Sequence, residues 1–283
     1  MKKSFIKIAA LLLCICLLFT GCDSIGTFMG MESDEIEYKV ENGEATVISV
    51  PNKATIKEIN IPDEYDGVPV TKIADFSVVN LEYVNKISIG KNVKEIGVWA
   101  LENNQRVTAF EVDEENEHFC DVDGVLFTKD MKTLLFYPIA KDLVEEKNDE
   151  GNIIEVSEYT IPDGVETIRS KAFYKSYPIK EITIPDSVKR IEEKAFFRCD
   201  KINELKLPQS LEFIGKDAFS YCNGLKELDI PANIKQIDVY AFYNCTNLLT
   251  INVDAKESDV ELGDKWYPTS NGLAIKDLTI NWK

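Results

Sequence analysis

The residue types that most often carry out chemistry are rare in this chain. It contains a single histidine, His118, in an acidic stretch. One histidine excludes a paired-histidine metal site and an HExxH zinc motif, and it stands in no Ser-His-Asp arrangement. Glycine-rich phosphate loops are absent from the sequence, and carboxylates are so abundant that none can be singled out as an acid–base pair. The sequence therefore predicts a protein that is not an enzyme and that uses no cofactor.

One acidic stretch resembles part of a calcium-binding loop. It reads Asp121-x-Asp123-Gly124, but the first and twelfth ligand positions of an EF-hand would fall on Phe119 and Asp130. An EF-hand needs an oxygen ligand at the first position and a glutamate at the twelfth, so the pattern fails. The alternative is a weak cation site formed by the nearby carboxylates of Asp113, Glu114, Glu115 and Glu117.

Three of the seven cysteines, Cys199, Cys222 and Cys245, recur every 23 residues. A repeating β fold would stack them about 4.8 Å apart, which is within the Cα range of a disulfide. Parallel side chains on a regular stack point the same way, however, so a disulfide dihedral angle near about 90° would require distortion. We therefore expect buried, free thiols, with a disulfide as the alternative. Cys120 has no evident partner.

The same interval governs the whole stretch from Tyr159 to Val253. An aliphatic residue followed by proline recurs at each step, and so does an Ala-Phe pair. The two series are Ile161-Pro162, Ile184-Pro185, Leu207-Pro208 and Ile230-Pro231, and Ala172-Phe173, Ala195-Phe196, Ala218-Phe219 and Ala241-Phe242. A fixed period of roughly 20–29 residues with leucine-type spacing is typical of a leucine-rich repeat solenoid. The sequence thus predicts a repeat solenoid that is mainly β, with short turns and 3-10 segments.

Within one repeat, the run Ile202-x-x-Leu205-x-Leu207 alternates at its end, which predicts a short strand with one buried side. Pro208 would end this strand because proline cannot donate to a ladder. The Ala-Phe pair predicts a tight turn that places one ring in the core. Ile191, Phe196 and Leu205 are therefore expected to be core positions. One repeat buries too little alone, so the repeats must stack.

The N-terminal residues predict a targeting signal for export and membrane attachment. Three lysines precede an apolar run over residues 8–19 that is too short to span a bilayer comfortably. The run ends in LFTGC, which resembles a bacterial lipoprotein signal with its lipobox. That resemblance implies cleavage after Gly21 and a lipid on Cys22. We expect the anchored protein at the bacterial cell envelope, on its extracellular face. Phe19 departs from the usual leucine, and an ordinary secretory peptide or a short anchor helix is the alternative.

The predicted boundaries follow from these signals. A signal peptide occupies residues 1–21, a polar tether 22–37 and the solenoid 38–283, divided into an N-terminal cap (38–58), early repeats (59–112), inserted hairpins (113–160), four regular repeats (161–253) and a C-terminal cap (254–283). The N-terminal cap contains Asn42-Gly43, a strong hairpin signal. The period is lost after Val253, where the cap is expected to be built by Trp266, Tyr267, Leu273, Leu278, Ile280 and Trp282.

Several of these segments together resemble a known family. The inserted DGVLFTKDMKTLLFYP, the following YTIPDGVETIRSKAF, the copies of Ala-Phe-x-x-Cys and the opening YKVENGEATVI are similar to the BspA-type leucine-rich repeat proteins of bacterial surfaces. The likeness covers nearly everything from Tyr38 to Val253. It implies a secreted or surface-attached solenoid, and adhesion to host proteins or other cells. It carries over no catalytic residue, because the repeat motif contains none.

Two columns of side chains are the candidate partner-binding residues. The first points outward from the predicted strands and comprises Glu181, Thr183, Glu204, Lys206, Glu227 and Asp229. The second follows each core phenylalanine and reads Tyr174, Phe197, Ser220 and Tyr243, with Tyr221 beside it. Since the core needs one ring per repeat, the extra aromatics are expected to be partly exposed, as suits a protein or glycan contact. Lateral packing against neighbouring turns is the alternative.

The formal charge of −17 excludes one class of partner. Such a surface repels phosphate backbones and anionic headgroups, so nucleic acid is not expected to bind. The leading hypothesis is a non-enzymatic binding or adhesion protein on a lipid anchor, with a protein or glycan ligand and a membrane contact through the lipid. A structural scaffold that contacts envelope proteins of the same cell is the alternative, and an enzyme or accessory subunit using the acidic loops is a third class.

Overall fold

A computed structural model describes residues 35–270 and 273–283. The predicted signal peptide, Cys22 and most of the predicted tether lie outside these residues. Within them the chain consists of strands and turns, with one 3-10 segment at Glu257–Asp259. None of the described residues belongs to a helix long and apolar enough to cross a membrane.

Successive repeats form the coils of a β-solenoid, which confirms the predicted fold class. Three of the four regular coils contribute a longer strand to one face, and all four contribute a two-residue strand to another. The long-strand face contains the parallel sheets Glu58–Ile61, Lys86–Ile89 and Ala109–Val112; Ile153–Thr160 and Ile179–Thr183; and Glu227–Ile230, Thr250–Val253 and Thr279–Trp282. The short-strand face contains Val68–Ile73 and Glu95–Ile96, and the parallel run Thr133–Phe136, Thr167–Ile168, Arg190–Ile191, Phe213–Ile214, Gln236–Ile237 and Glu261–Leu262.

The first coil is covered by the predicted hairpin. Glu37–Glu41 pairs with Glu44–Ser49 around Asn42, whose φ of 52° is tolerated well by asparagine. The second of these strands pairs in parallel with Val68–Ile73. A further antiparallel strand, Glu64–Tyr65, folds back on Val68–Ile73 at the extra turn. The backbone groups of the first coil thereby find partners in a small sheet.

Two hairpins interrupt the stack, as the sequence predicts. In the first, Val125–Thr128 pairs antiparallel with Thr133–Phe136, and an additional strand, Phe119–Val122, extends the sheet. In the second, Val144–Lys147 pairs antiparallel with Ile153–Thr160. The strand Thr133–Phe136 also pairs in parallel with Thr167–Ile168, so the first insertion is continuous with the regular coils that follow.

The first insertion separates two hydrophobic cores. The N-terminal core runs from Ala45 to Phe136, and the C-terminal core begins at Val125 and includes every regular repeat. Side chains of the insertion pack into both of these cores. The C-terminal core receives Val125, Phe127, Leu134 and Tyr137, and the N-terminal core receives Phe119, Leu126, Leu135 and Phe136. The insertion is therefore a two-sided partition between the cores.

The core predictions for the regular repeat are confirmed, but one strand prediction is wrong. Ile191 and Phe196 are fully buried and Leu205 is 8% exposed. Residues 202–207 form no strand, and neither Ile179–Thr183 nor Glu227–Ile230 pairs with them. The alternation of apolar residues predicts which side chains are buried, and Ile202, Leu205 and Leu207 are indeed buried. A ladder also requires aligned backbone groups on the neighbouring coils, and alternation does not encode that.

The C-terminal cap differs from its prediction in two ways. The stack does not stop with the sequence period, because Glu261–Leu262 and Thr279–Trp282 each pair in parallel with the preceding coil. Trp266 is buried, at 5% exposure, but Leu273 is 74% exposed and covers nothing. Leu273 lies in a two-residue strand paired with Thr269–Ser270, which holds it away from the core. The last coil is longer than 23 residues, so its period is invisible in the sequence.

Candidate functional site

Four aromatic side chains form a continuous column along one edge of the regular coils. The rings of Tyr174 and Phe197 are stacked with centroids 5.1 Å apart. Tyr221 meets Phe197 edge-on at 5.3 Å, and Tyr243 meets Tyr221 edge-on at 5.6 Å. All four residues are half-buried. The sequence prediction of extra, partly exposed rings is thus confirmed, and the rings also pack on one another. We call these four residues the aromatic column.

In the third repeat the column is continued by the candidate Tyr221, whereas Ser220, at the position after the core phenylalanine, takes no part in it. Ser220 is fully buried, with its hydroxyl 2.9 Å from the carbonyl oxygen of Tyr240. Tyr221 has a φ of 65°, a left-handed value that the equivalent residues Lys175 and Arg198 share. The equivalent residue one repeat later is Asn244, with a φ of 56°. Asparagine adopts this conformation readily, so Asn244 was the sequence signal for it.

The line of rings continues past the regular repeats into the N-terminal coils. The Lys171 ammonium contacts the ring of Trp99 and lies 5.0 Å from the centre of the Tyr174 ring. Trp99 in turn stacks on Phe76 at 5.3 Å, and Phe76 is 59% exposed. Phe76 and Trp99 are themselves 23 residues apart, but the inserted hairpins break the register between them and Tyr174, so the spacing of the regular repeats did not reveal this extension.

Lys171 lies between Trp99 and Tyr174, and it is a buried charged residue. Its side chain is 2% exposed and its ammonium lies 3.2 Å from the carboxylate of Glu102. Burial lowers the pKa of Lys171 to about 8, and the nearby Glu102 charge opposes this shift only in part. Burial also raises the pKa of Tyr174, and Glu102 adds to that effect. This buried pair fixes the place where the N-terminal coils meet the regular repeats.

The strand candidates are all exposed, as predicted. A cleft of about 390 Å³ brings together four of them, and these are Glu181, Thr183, Glu204 and Lys206. The other two, Glu227 and Asp229, accept hydrogen bonds from the amide of Asn252 at 3.0 and 2.8 Å. The three stacked glutamates therefore have different surroundings, and only two of them face one cleft.

The three repeating cysteines are buried and free, as predicted. Each thiol donates to a phenylalanine carbonyl of the preceding repeat, and the Cys222 sulfur lies 3.1 Å from the oxygen of Phe196. Burial raises the pKa of all three thiols, that of Cys245 to about 12. Cys120 is also free and half-buried. These sulfurs are held as thiols and not as reactive thiolates.

The four carboxylates proposed as a weak cation site are not grouped around one point, and two of them have other partners. Asp113 accepts a hydrogen bond from the backbone of Glu115, and the Glu115 carboxylate pairs with Lys91 at 2.7 Å. Over residues 35–270 and 273–283 no three histidine, cysteine or acidic side chains are grouped as metal ligands would be. That alternative is therefore wrong for the described chain. His118 is exposed in its loop, so the arrangement offers surfaces for binding more readily than groups for reaction.

Comparisons with known proteins agree with the geometry. The family described as BspA type Leucine rich repeat region matches in six copies, over residues 51–122 and 151–267. The pneumococcal vaccine antigen PcpA has a similar structure with a TM-score of 0.58 and 24% identity; the match covers 81% of this chain and 57% of that one. A leucine-rich repeat protein from Eubacterium ventriosum has a TM-score of 0.55 at 18% identity, with 84% of each chain covered. No curated protein matches the sequence.

Proposed function

The chain belongs to the BspA-type leucine-rich repeat family, and we propose that it is a non-enzymatic surface protein that binds a protein or glycan partner through the aromatic column. The observation that carries the proposal is the continuity of the column. Four half-buried rings touch one another across four coils, at centroid distances of 5.1, 5.3 and 5.6 Å. A rigid row of aromatic groups offers a large contact area at a low cost in conformational entropy.

The surroundings of the column favour a partner with both apolar and polar groups. The Arg198 guanidinium lies 5.2 Å from the ring centre of Tyr221, and the Lys175 ammonium lies 5.2 Å from that of Tyr174. These cations rim the rings in a chain whose formal net charge is −17. Interfaces commonly combine an aromatic centre with a polar rim of this kind. The structure of PcpA is described as that of a vaccine antigen, which is consistent with display on a bacterial surface.

The test of the column compares two triple variants. Tyr174→Ser, Phe197→Ser and Tyr243→Ser together should abolish binding to a panel of immobilised host matrix proteins and glycans. The matched control changes Glu181, Glu204 and Glu227 to glutamine on the long-strand face, and it should bind as the parent does. Thermal unfolding of both variants checks that the fold is kept, and the single change Tyr243→Ser at the column's end is the milder variant. Full binding by the folded aromatic variant would refute the column as the site.

We propose further that Cys22 carries a lipid that holds the protein on the outer surface of the bacterial envelope. The support is the sequence LFTGC after a short apolar run. Cys22→Ala should abolish fatty-acid labelling and release the protein or leave it uncleaved. Protease treatment of intact cells should remove the anchored protein. Resistance to protease on intact cells, with release only after lysis, would favour an internal scaffold over an outward-facing binding protein.

A further inference from the structure

A second surface, which shares no residue with the aromatic column, has the character of a ligand site. Two clefts of about 600 and 630 Å³ adjoin one another and share Tyr83, Gln105 and Arg106 in their walls. These residues come just before the strands of the long-strand face in the N-terminal coils. Part of the wall of the larger cleft is supplied by the second inserted hairpin, through Leu143 and Glu155. The insertion thus turns an open edge of the solenoid into a cleft.

Arg106 is the most informative residue of this cleft. The chain has four arginines, and three of them lie over an aromatic ring: Arg169 on Phe136, Arg190 on Phe213 and Arg198 on Tyr221. Arg106 is exposed, and among the described residues its guanidinium has no carboxylate, carbonyl or ring partner. An unpaired guanidinium is unexpected in a chain that carries 49 acidic residues against 32 basic ones. A planar, permanently charged fork of this kind is well suited to a carboxylate.

The rest of the wall adds an apolar surface and hydrogen-bonding groups. Tyr83 is 36% exposed, and the Lys57 ammonium lies 5.5 Å from the centre of its ring. The Gln105 amide donates to Asn103 at 3.1 Å, and Asn103 donates to Asn80 at 2.6 Å, so these amide planes are held in place. Pre-oriented amides beside an exposed ring are the elements of a polar small-molecule site.

Two carboxylates complete the cleft, those of Glu82 and Glu155. Neither forms an ion pair with a described lysine or arginine, and both remain acceptors only. A ligand for this cleft must therefore bring one anionic group for Arg106 and several hydroxyl donors for the glutamates. It must also bring an apolar face for the ring of Tyr83. An acidic peptide carries several carboxylates, so Glu82 and Glu155 would repel it more strongly than a ligand with a single anionic group.

We propose that this cleft binds an acidic saccharide, whose carboxylate pairs with the Arg106 guanidinium while one sugar ring lies on Tyr83 and its hydroxyls donate to Glu82 and Glu155. The combined size of the clefts suits a short oligosaccharide better than a single small ion. The site is separate from the aromatic column, so the two binding activities can be lost independently. It extends the proposed binding role by giving the second inserted hairpin a function.

The experiment titrates the folded protein with two probes by calorimetry, a glucuronate-containing disaccharide and sialyllactose. Each is compared with a neutral counterpart, the carboxyl-reduced disaccharide and lactose. At least one acidic probe should bind at least about tenfold more tightly than its counterpart, because a charge-assisted bond is lost with the carboxylate. Arg106→Gln should remove this preference and leave binding of the neutral sugar unchanged. Tyr83→Ser should weaken the acidic and the neutral probe alike.

The matched control is Arg190→Gln, which removes an exposed arginine from the short-strand face. It should leave the saccharide preference intact, as should the aromatic triple variant even if the partner of the column no longer binds. Three results would overturn the assignment: no acidic probe binds at millimolar concentration, the preference survives in Arg106→Gln, or Arg190→Gln abolishes it equally. Binding of a tetraglutamate peptide that depends on Arg106 would replace the saccharide with an acidic protein segment.

Discussion

Asn104 in the N-terminal core and Cys199 in the C-terminal core occupy the same position of the repeat, four residues after Ala100 and Ala195. The amide of Asn104, at 2% exposure, donates to two carbonyl oxygens at 2.8 and 3.0 Å and accepts one backbone N–H at 3.0 Å. The thiol of Cys199 makes one contact, 3.2 Å from the oxygen of Phe173. One position therefore serves as a three-way polar junction in one core and as an apolar filler in the other.

The two cores also differ in their aromatic residues, because the C-terminal core has a phenylalanine where the N-terminal core has an aliphatic residue. The rings of Phe173, Phe196, Phe219 and Phe242 are stacked nearly parallel, with successive centroids 4.9, 5.1 and 5.5 Å apart. At the equivalent place the N-terminal coils have Val78 and Leu101. The regular coils are thus held by one apolar contact repeated in every coil. The irregular coils depend on a few specific hydrogen bonds, and damage to them should differ in kind.

The largest expected effect is in the ring stack. Phe196 is fully buried, with a ring on each side, so Phe196→Ala should lower the free energy of unfolding by roughly 3–5 kcal/mol. Urea denaturation followed by tryptophan fluorescence measures the loss. Hydrogen exchange should show it first in the coils next to Phe196, because coils of a solenoid contact only their neighbours. A loss below about 1 kcal/mol would mean that the repeat register is wrong.

The next effect tests the polar junction of the other core. Asn104→Ala would leave the backbone N–H of Leu81 and the carbonyls of Val78 and Leu101 buried without their partner. Unsatisfied buried groups are costly, so the free energy of unfolding should fall by about 2–3 kcal/mol. The matched control is Cys222→Ala, which removes a single thiol contact and should cost about 1 kcal/mol. Equal losses in urea denaturation would erase the distinction between the two cores.

The regular repeats were predictable because one period organises their apolar residues. Phe196 and Leu205 could be placed in the core from spacing alone. The partition was predicted only as a hairpin, since the sequence DGVLF does not reveal that Leu126 and Phe127 serve different cores. The continuation of the stack to Trp282 was not predicted, because its coil has a different length.

The candidate site was predictable in part for similar reasons. Tyr174, Phe197 and Tyr243 follow the period, whereas Tyr221 joins the column from one residue later, at a left-handed position of the backbone. Arg106 could not be found from the sequence. Its interest depends on the absence of a partner among the described residues and on the cleft that a distant hairpin completes. Such properties arise from tertiary packing and have no local signature.

The third effect is a pH dependence at the meeting point of the two cores. Lys171 has a pKa lowered to about 8 by burial, below its ordinary value of 10.5. Between these values the unfolded chain binds more protons at Lys171 than the folded chain does, so the contribution of Lys171 to the free energy of unfolding should rise with pH. The three buried thiols act in the opposite direction, because their raised pKa values make the folded chain keep protons that the unfolded chain loses. The Lys171 contribution should be about 1–2 kcal/mol, measured as the difference between the pH profiles of the parent and of Lys171→Met.

The control for this measurement is Lys194→Met. Lys194 holds the equivalent place one coil later, but its side chain is 21% exposed and pairs with Glu193 at 2.6 Å. Its removal should leave the pH dependence of unfolding unchanged between pH 8 and 10.5. An identical pH profile in Lys171→Met and the parent would show that Lys171 stays charged in the folded protein through this range.

The smallest effect is a gain in stability at the boundary between the two kinds of coil. Ser176 holds the cysteine position in the first regular repeat and is 1% exposed, but its hydroxyl has no partner among the described residues. The equivalent thiols each reach a phenylalanine carbonyl of the preceding coil, and the coil before Ser176 has Tyr137 beside the stack instead. A buried hydroxyl without a hydrogen bond is destabilising, whereas a thiol is less costly to bury.

Ser176→Cys should therefore raise the free energy of unfolding by about 0.5–1 kcal/mol, measured by urea denaturation under reducing conditions. The reverse change, Cys222→Ser, places a hydroxyl where a thiol now fits and should lower it by about 1–2 kcal/mol. Opposite signs from exchanges of the same two residue types would show that the position favours cysteine throughout the regular coils. If Ser176→Cys destabilises the protein, the inserted hairpin next to this coil requires a serine at position 176. The boundary coil would then resemble the irregular N-terminal coils more than the regular ones.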